Sequence, residues 1–201
     1  EVIFLARHGI PHTIPPHKVN YRANLRALKD CSVSKIISVN AVGGITMKMS
    51  PGSIVIPDQL IDYTWSREHT FFDEGLDKVQ HIDFTSPYSE LLRKKLINAG
   101  ENLSIHMMDS ATYGATQGPR LETAAEIIRM EQDSCDLVGM TGMPEASLAR
   151  ELDIDYASIC LVVNWAAGKT DGAITMEIIQ EYLDSGMHKI NNIILETINS
   201  L

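Results

Sequence analysis

Apolar and polar positions alternate along the chain in two different periods. Short β-type runs occur at Val2–Ala6, Lys35–Val39, Ser53–Ile56, Met107–Thr112, Asp136–Met140 and Tyr156–Val163. Between them lie stretches with helical spacing. Val19–Lys29 carries Ala23, Ala27 and Leu28 at that spacing, and Glu90–Ala99 and Pro144–Leu152 also read as helices. Leu121, Ala124, Ala125 and Ile128 share one helix face. From Thr175 to Leu201, Ile178, Ile179, Tyr182, Leu183, Ile190, Ile194 and Ile198 fit one or two helices. Tyr156–Val163 is apolar throughout, as a strand covered on both faces must be. Residues 62–86 are mixed, polar and aromatic, and predict a long loop of the kind that forms lids and binding walls. Strand–helix alternation with no repeat and no break in composition predicts one α/β domain over residues 1–201. Its central sheet is expected to be mixed, largely parallel and flanked by helices.

Such a sheet gathers ligands at the carboxyl ends of its strands. Four of these ends carry chemistry: Arg7-His8-Gly9, Asn40-Ala41-Val42-Gly43-Gly44, Met140-Thr141-Gly142 and Asn164-Trp165-Ala166. A guanidinium fork matches phosphate. Backbone N–H groups bared by glycine cradle anions. The Thr141 hydroxyl is either a ligand donor or the cap of the following helix. An amide closing a buried strand, as at Asn164, must find partners. It either satisfies its own backbone or reads a planar base, donating to one edge atom and accepting from the next. Glu122 is an acceptor when ionised, or else complements a helix dipole.

Composition narrows the classes. The 201 residues hold 17 Lys and Arg against 26 Asp and Glu, a net charge of −9. That balance argues against sequence-independent nucleic-acid binding and against an anionic membrane surface. It leaves room for a local pocket that takes one small anion. Three widely spaced cysteines, with no CxxC, make neither a disulfide framework nor a zinc ribbon, and Cys160 reads as a core residue. His8, His12 and His17 are interrupted by Pro11, Pro15 and Pro16, so no helix face presents them to a metal. No metal site is expected. Dinucleotide, P-loop and nucleophile-elbow patterns are absent. The chain opens directly on the strand-like Val2–Ala6, which suggests that something upstream is missing.

The motifs taken together say more than any one of them. In order, Phe4-Leu5-Ala6-Arg7-His8-Gly9, His17-Lys18-Val19-Asn20-Tyr21-Arg22-Ala23-Asn24, Asn40-Ala41-Val42-Gly43-Gly44, Gln117-Gly118-Pro119-Arg120-Leu121-Glu122-Thr123 and Gly139-Met140-Thr141-Gly142-Met143-Pro144-Glu145 span essentially the whole chain. This series resembles the trimeric purine nucleoside phosphorylase and methylthioadenosine phosphorylase family. Within that family it is most similar to the bacterial enzymes acting on S-methyl-5′-thioinosine.

The resemblance implies a pentosyltransferase of purine salvage that splits a nucleoside with inorganic phosphate and needs no other cofactor. Arg7, His8, Ala41 through its backbone N–H, and Thr141 match the phosphate positions. Met140 matches the ribose-packing position, and Asn164 the residue that stabilises the departing purine. Asn164 and Glu122 match the 6-oxopurine members, where adenine-type members carry Asp and Ser. A Glu122 carboxylate accepts N1–H of a 6-oxopurine but faces a bare lone pair on adenine. Buried mispairing of this kind discriminates by about 10⁴ or more. Met176 stands where a hydroxyl-preferring enzyme has His, which implies a methylthio group at the sugar 5′ end. His81 matches a residue lent to the neighbouring subunit, implying a homotrimer with sites at its interfaces.

The implied reaction is phosphorolysis of S-methyl-5′-thioinosine to hypoxanthine and 5-methylthioribose 1-phosphate, in the cytoplasm, with neither nucleic acid nor membrane as partner. Methylthioadenosine phosphorylase, a general inosine/guanosine phosphorylase and an inactive nucleoside-binding member are the alternatives. The family's upstream first strand and Gly-rich phosphate loop have no counterpart here, so the domain is expected to be N-terminally incomplete.

Overall fold

In the computed structural model, which describes residues 1–201, six strands form one sheet in the order β2-β6-β1-β5-β4-β3. These are β1 (Lys35–Gly44), β2 (Ile54–Val55), β3 (Gln59–Asp62), β4 (Thr112–Ala115), β5 (Leu137–Gly139) and β6 (Asp155–Trp165). The helices are α1 (Tyr21–Asp30), α2 (Glu90–Asn102), α3 (Ala124–Gln132), α4 (Glu145–Glu151) and α5 (Met176–Asn199). The pairs β1–β6, β4–β5 and β3–β4 are parallel, whereas β1–β5 and β2–β6 are antiparallel. No helix is long and apolar enough to cross a membrane.

The longest strand, β6, lies between β2 and β1, and its alternation separates two cores. Tyr156, Cys160 and Val162 face one apolar cluster together with residues of α1 and α4. Ala157, Ile159, Leu161 and Val163 face another with residues of α2 and α5. Period-2 geometry makes an all-apolar strand serve both layers at once. Cys160 is fully buried in the first cluster, and burial pushes its thiol up to about 12.

Several expectations are corrected. Val2–Ala6 forms no strand, and Val2, Ile3 and Phe4 are exposed, because no other strand pairs with this segment. Asn40–Gly44 is the second half of β1 rather than a loop, paired with β6 through a register shift at Val42/Gly43. α1 buries Tyr21 and Leu25, leaving Ala23 and Ala27 outside. On α3 the inward residues are Ile127 and Met130, so Leu121, Ala124, Ala125 and Ile128 face out. The C-terminal apolar pattern is one continuous helix, α5.

Gly44 shows how closely β1 approaches the following turn. A Cβ there would stand 1.8 Å from the Met49 carbonyl oxygen, and Gly44 itself accepts from the Ala166 N–H at 2.9 Å. Backbone meets backbone, so no side chain can give way. Gly44→Ala is expected to cost at least about 2 kcal/mol. For a chain of this length that lowers the melting temperature by about 4–8 °C, readable by calorimetry.

Candidate functional site

The antiparallel β1–β5 pair decides where chemistry collects. Gly43 lies opposite Val138 and Gly44 opposite Leu137. Continuing that register, the chain leaving β5 runs back along β1 and brings Thr141 to Asn40. The Thr141 hydroxyl indeed donates to Asn40 Oδ1 at 2.8 Å, and so is not a helix cap. Asn40 is buried, and its Nδ2 donates to Ser38 Oγ at 2.8 Å and Ser158 Oγ at 2.6 Å. The sheet thus carries a polar island inside its core. Ala41 follows Asn40 on β1 and is exposed.

Arg7 reaches the same island. Its Nε and Nη2 donate to Glu145 Oε2 at 2.9 Å and Oε1 at 2.6 Å, and Nη1 donates to the Val39 carbonyl at 3.1 Å and Asn40 Oδ1 at 3.4 Å. Of five guanidinium N–H bonds, one is left for a ligand. The fork expected to face an anion is closed on Glu145 instead. Tyr156 also donates to Glu145 Oε1, at 3.0 Å. Burial works against the charge on Arg7, but Glu145, aided by Tyr156, outweighs it and raises the Arg7 pKa. Glu145 and Asn40, which carry this arrangement, were not singled out from the sequence. For Asn40 there was a signal, an amide inside an apolar strand; Glu145 gave none, because α4 also carries Ser147, Arg150 and Glu151.

His8 adjoins Arg7. Its Nδ1 lies 2.8 Å from the Ile14 carbonyl oxygen, which can only accept, so Nδ1 carries the proton and Nε2 is left free. Its ring stacks on His12 with centroids 4.3 Å apart. Burial lowers the His8 pKa despite the bond to Ile14.

Asn164 pairs with Gly43 across β1–β6 and is 9% exposed. One Nδ2 hydrogen goes to the Trp165 carbonyl at 2.7 Å, leaving the other and Oδ1 available. Glu122 precedes α3, whose capping box is made by Thr123 and Glu126, so the helix end does not need it. Its Oε1 instead accepts from Thr116 Oγ1 at 2.6 Å. Glu122 lies between two cavities. One, of about 480 Å³, is lined by Asp62, Trp65, Gln117 and Arg129 among others, and the second, of about 260 Å³, by Ala166, Gly168 and Ile174 among others. Met140 packs over the loop that leads to Glu122, since a Cβ on Gly118 would meet its sulfur at 2.4 Å.

Arg7, Thr141 and Ala41 therefore gather around Asn40. Asn164 stands one strand away, and Met140 and Glu122 meet at the 116–122 loop. Met176 is the first residue of α5 and 69% exposed, and His81 is exposed in the irregular 62–86 segment. Neither is hydrogen-bonded to these groups within the chain.

Comparisons with known proteins bear on the fold and the family. The model of the Phosphorylase superfamily matches residues 1–199. A probable S-methyl-5′-thioinosine phosphorylase of Pseudomonas syringae pv. tomato is 56% identical over 190 residues, covering 94% of this chain and 77% of that protein. The 6-oxopurine nucleoside phosphorylase of Pyrococcus furiosus is 46% identical, covering 98% and 77%. The structure of methylthioadenosine phosphorylase from Schistosoma mansoni in complex with tubercidin superposes with a TM-score of 0.92 at 33% identity, covering 97% of this chain and 75% of that one. With its fold and nearly its whole length matched, the chain belongs to the Phosphorylase superfamily, among the purine nucleoside phosphorylases.

Proposed function

We propose that the protein splits S-methyl-5′-thioinosine with inorganic phosphate, giving hypoxanthine and 5-methylthioribose 1-phosphate, without a metal or organic cofactor. The observation that carries this reading is the pairing of Asn164 and Glu122. Asn164 has one free N–H and a free Oδ1. That pattern complements a 6-oxopurine edge, O6 accepting and protonated N7 donating. The Glu122 carboxylate, aligned by Thr116, accepts N1–H.

Phosphate is held by the last N–H of Arg7, by His8, by the Ala41 N–H and by Thr141 on turning its hydroxyl. One phosphate oxygen attacks the anomeric carbon from the face opposite the purine. The glycosidic bond breaks and its electron pair passes into the purine ring; the proton that hydrogen phosphate gives up on forming the ester reaches N7 through solvent, and the N7–H donates to Asn164 Oδ1. Fixing a dianion below the anomeric carbon removes orientational cost and stabilises the oxocarbenium-like sugar. Met140 packs on the ribose and Met176 on the methylthio group. His81 completes the neighbouring site in a cytoplasmic homotrimer, a reading supported by the outward apolar residues Leu121 and Ile128.

The relative named 6-oxopurine nucleoside phosphorylase favours a second reading, in which the base is the same and the 5′ group is a hydroxyl. The deciding experiment is phosphate-dependent base release from methylthioinosine, methylthioadenosine and inosine. Fastest release from methylthioinosine is expected. Equal turnover of methylthioinosine and methylthioadenosine overturns the base assignment, and a strong preference for inosine overturns the 5′ assignment.

A further inference from the structure

Residues 62–86 hold one side chain whose burial is out of keeping with its surroundings. Arg67 is 9% exposed in an otherwise irregular, polar segment. No carboxylate pairs with it: its partners are all neutral. Nε donates to Gln117 Oε1 at 3.1 Å. Nη2 donates to the carbonyls of Thr116 at 3.1 Å and Gln117 at 2.8 Å. Nη1 donates to the carbonyls of Met140 at 2.8 Å and Met143 at 2.5 Å, with the Tyr21 hydroxyl at 3.4 Å beside them. The guanidinium carbon lies 5.5 Å from the Tyr21 ring centroid. All five N–H bonds are thereby used. Burial lowers the Arg67 pKa, as an unpaired buried cation requires.

A buried cation without a counter-ion is costly, and it persists only where its bonds are needed. The two backbone segments it joins identify that need. Thr116 and Gln117 begin the loop that ends at Glu122, and Thr116 itself holds the Glu122 carboxylate. Met140 and Met143 bracket Thr141 on the segment leaving β5. No ladder bonds these stretches beyond Ala115↔Gly139, so the spacing of the cleft past the sheet depends on other contacts. Apart from the Thr116 N–H and hydroxyl, both aimed at the Gly139 carbonyl, and the packing of Met140 on Gly118, Arg67 is the link, and it supplies the only hydrogen bonds to Met140 and Met143 from the 116–117 side of the cleft.

We propose that Arg67 is a positioning residue for the nucleoside, fixing the base-reading loop relative to the ribose-packing segment and so setting the width of the cleft. Its planar fork spans two carbonyls on each side, a geometry that the single ammonium of lysine cannot reproduce. The proposal rests on reading Glu122 and Met140 as nucleoside contacts. It places Arg67 apart from the phosphate, whose candidate groups it does not touch.

The test is steady-state kinetics of Arg67→Lys, with whichever purine nucleoside the unaltered protein turns over fastest. Preference for an adenine nucleoside would refute the base assignment above while leaving this test intact. A width-setting role raises the nucleoside KM by about 10–100-fold and leaves the phosphate KM within about twofold. Arg67→Ala is expected to regain part of the loss on addition of guanidinium at concentrations that do not unfold the protein. Gln117→Ala removes one of the bonds and one loop anchor. It serves if both Arg67 variants fail to fold, with an expected nucleoside KM increase of about 3–10-fold. Unchanged kinetic constants per folded molecule in the variants that fold, or equal increases in both KM values, overturn the proposal.

Discussion

Glu122→Ala is expected to reduce the preference for hypoxanthine-type over adenine-type nucleosides by about 10³, measured as the ratio of kcat/KM for methylthioinosine and methylthioadenosine. Two effects combine. The 6-oxopurine loses a charge-assisted bond from N1–H, worth about 1.5–3 kcal/mol. The 6-aminopurine is relieved of a carboxylate facing its N1 lone pair, and such mismatches account for most of the discrimination in polar sites. The Thr116 hydroxyl, 2.6 Å from Oε1 in the parent, turns to the Gly139 carbonyl at 3.3 Å, so no donor is orphaned and the fold is kept. Asn164→Ala provides the contrast. Its Oδ1 matters most once N7 is protonated, so the loss falls on kcat, by about 10²-fold, and it affects both bases. A Glu122 variant that lowered both kcat/KM values equally would mean that this carboxylate shapes the loop and does not read the base.

How much of this was legible in the sequence depends on the range of the interaction. Tyr156–Val163 announces a central strand because its pattern is local and uninterrupted. The extent of β1 was not legible: Gly43 and Gly44 suggest a turn, but pairing with Asn164 and Trp165, some 120 residues on, keeps the chain extended. The face of Leu121, Ala124, Ala125 and Ile128 has the right period and the wrong direction. Periodicity identifies a helix and an apolar face without saying whether this chain covers that face. Thr141 and Asn164 could be singled out because a polar residue closing an apolar strand is a local anomaly. Arg67 and Glu145 could not, since their meaning lies in partners 46 to 138 residues away. The antiparallel β1–β5 pair likewise left no mark in the sequence, yet it moves the site from a common strand edge to the middle of β1.

The Arg7–Glu145 pair yields the largest expected change in stability. Arg7 and Glu145 side chains are 15% and 7% exposed, with N···O 2.6 Å. Breaking a buried pair from one side leaves the other charge uncompensated, which costs about 3–5 kcal/mol. Both Glu145→Ala and Arg7→Met are therefore expected to lose that much in urea unfolding, and both lose phosphorolysis. Neither alone separates the fold from the phosphate site. The combination Arg7→Met, Glu145→Leu and Tyr156→Phe does separate them. It removes both charges and the hydroxyl bonded to Glu145, so that only the Val39 carbonyl and Asn40 Oδ1 lose a donor. Replacing a whole buried pair with apolar residues is close to neutral, so most of the stability returns, with about 1–3 kcal/mol still missing for the orphaned acceptors. Activity does not return. If Arg7 offers its remaining N–H and its charge to phosphate, kcat/KM for phosphate stays at least about 10²-fold down in the refolded variant. Recovery of phosphorolysis together with stability would show that the pair only supports the β1–α4 packing, and that His8, Ala41 and Thr141 hold the phosphate without it.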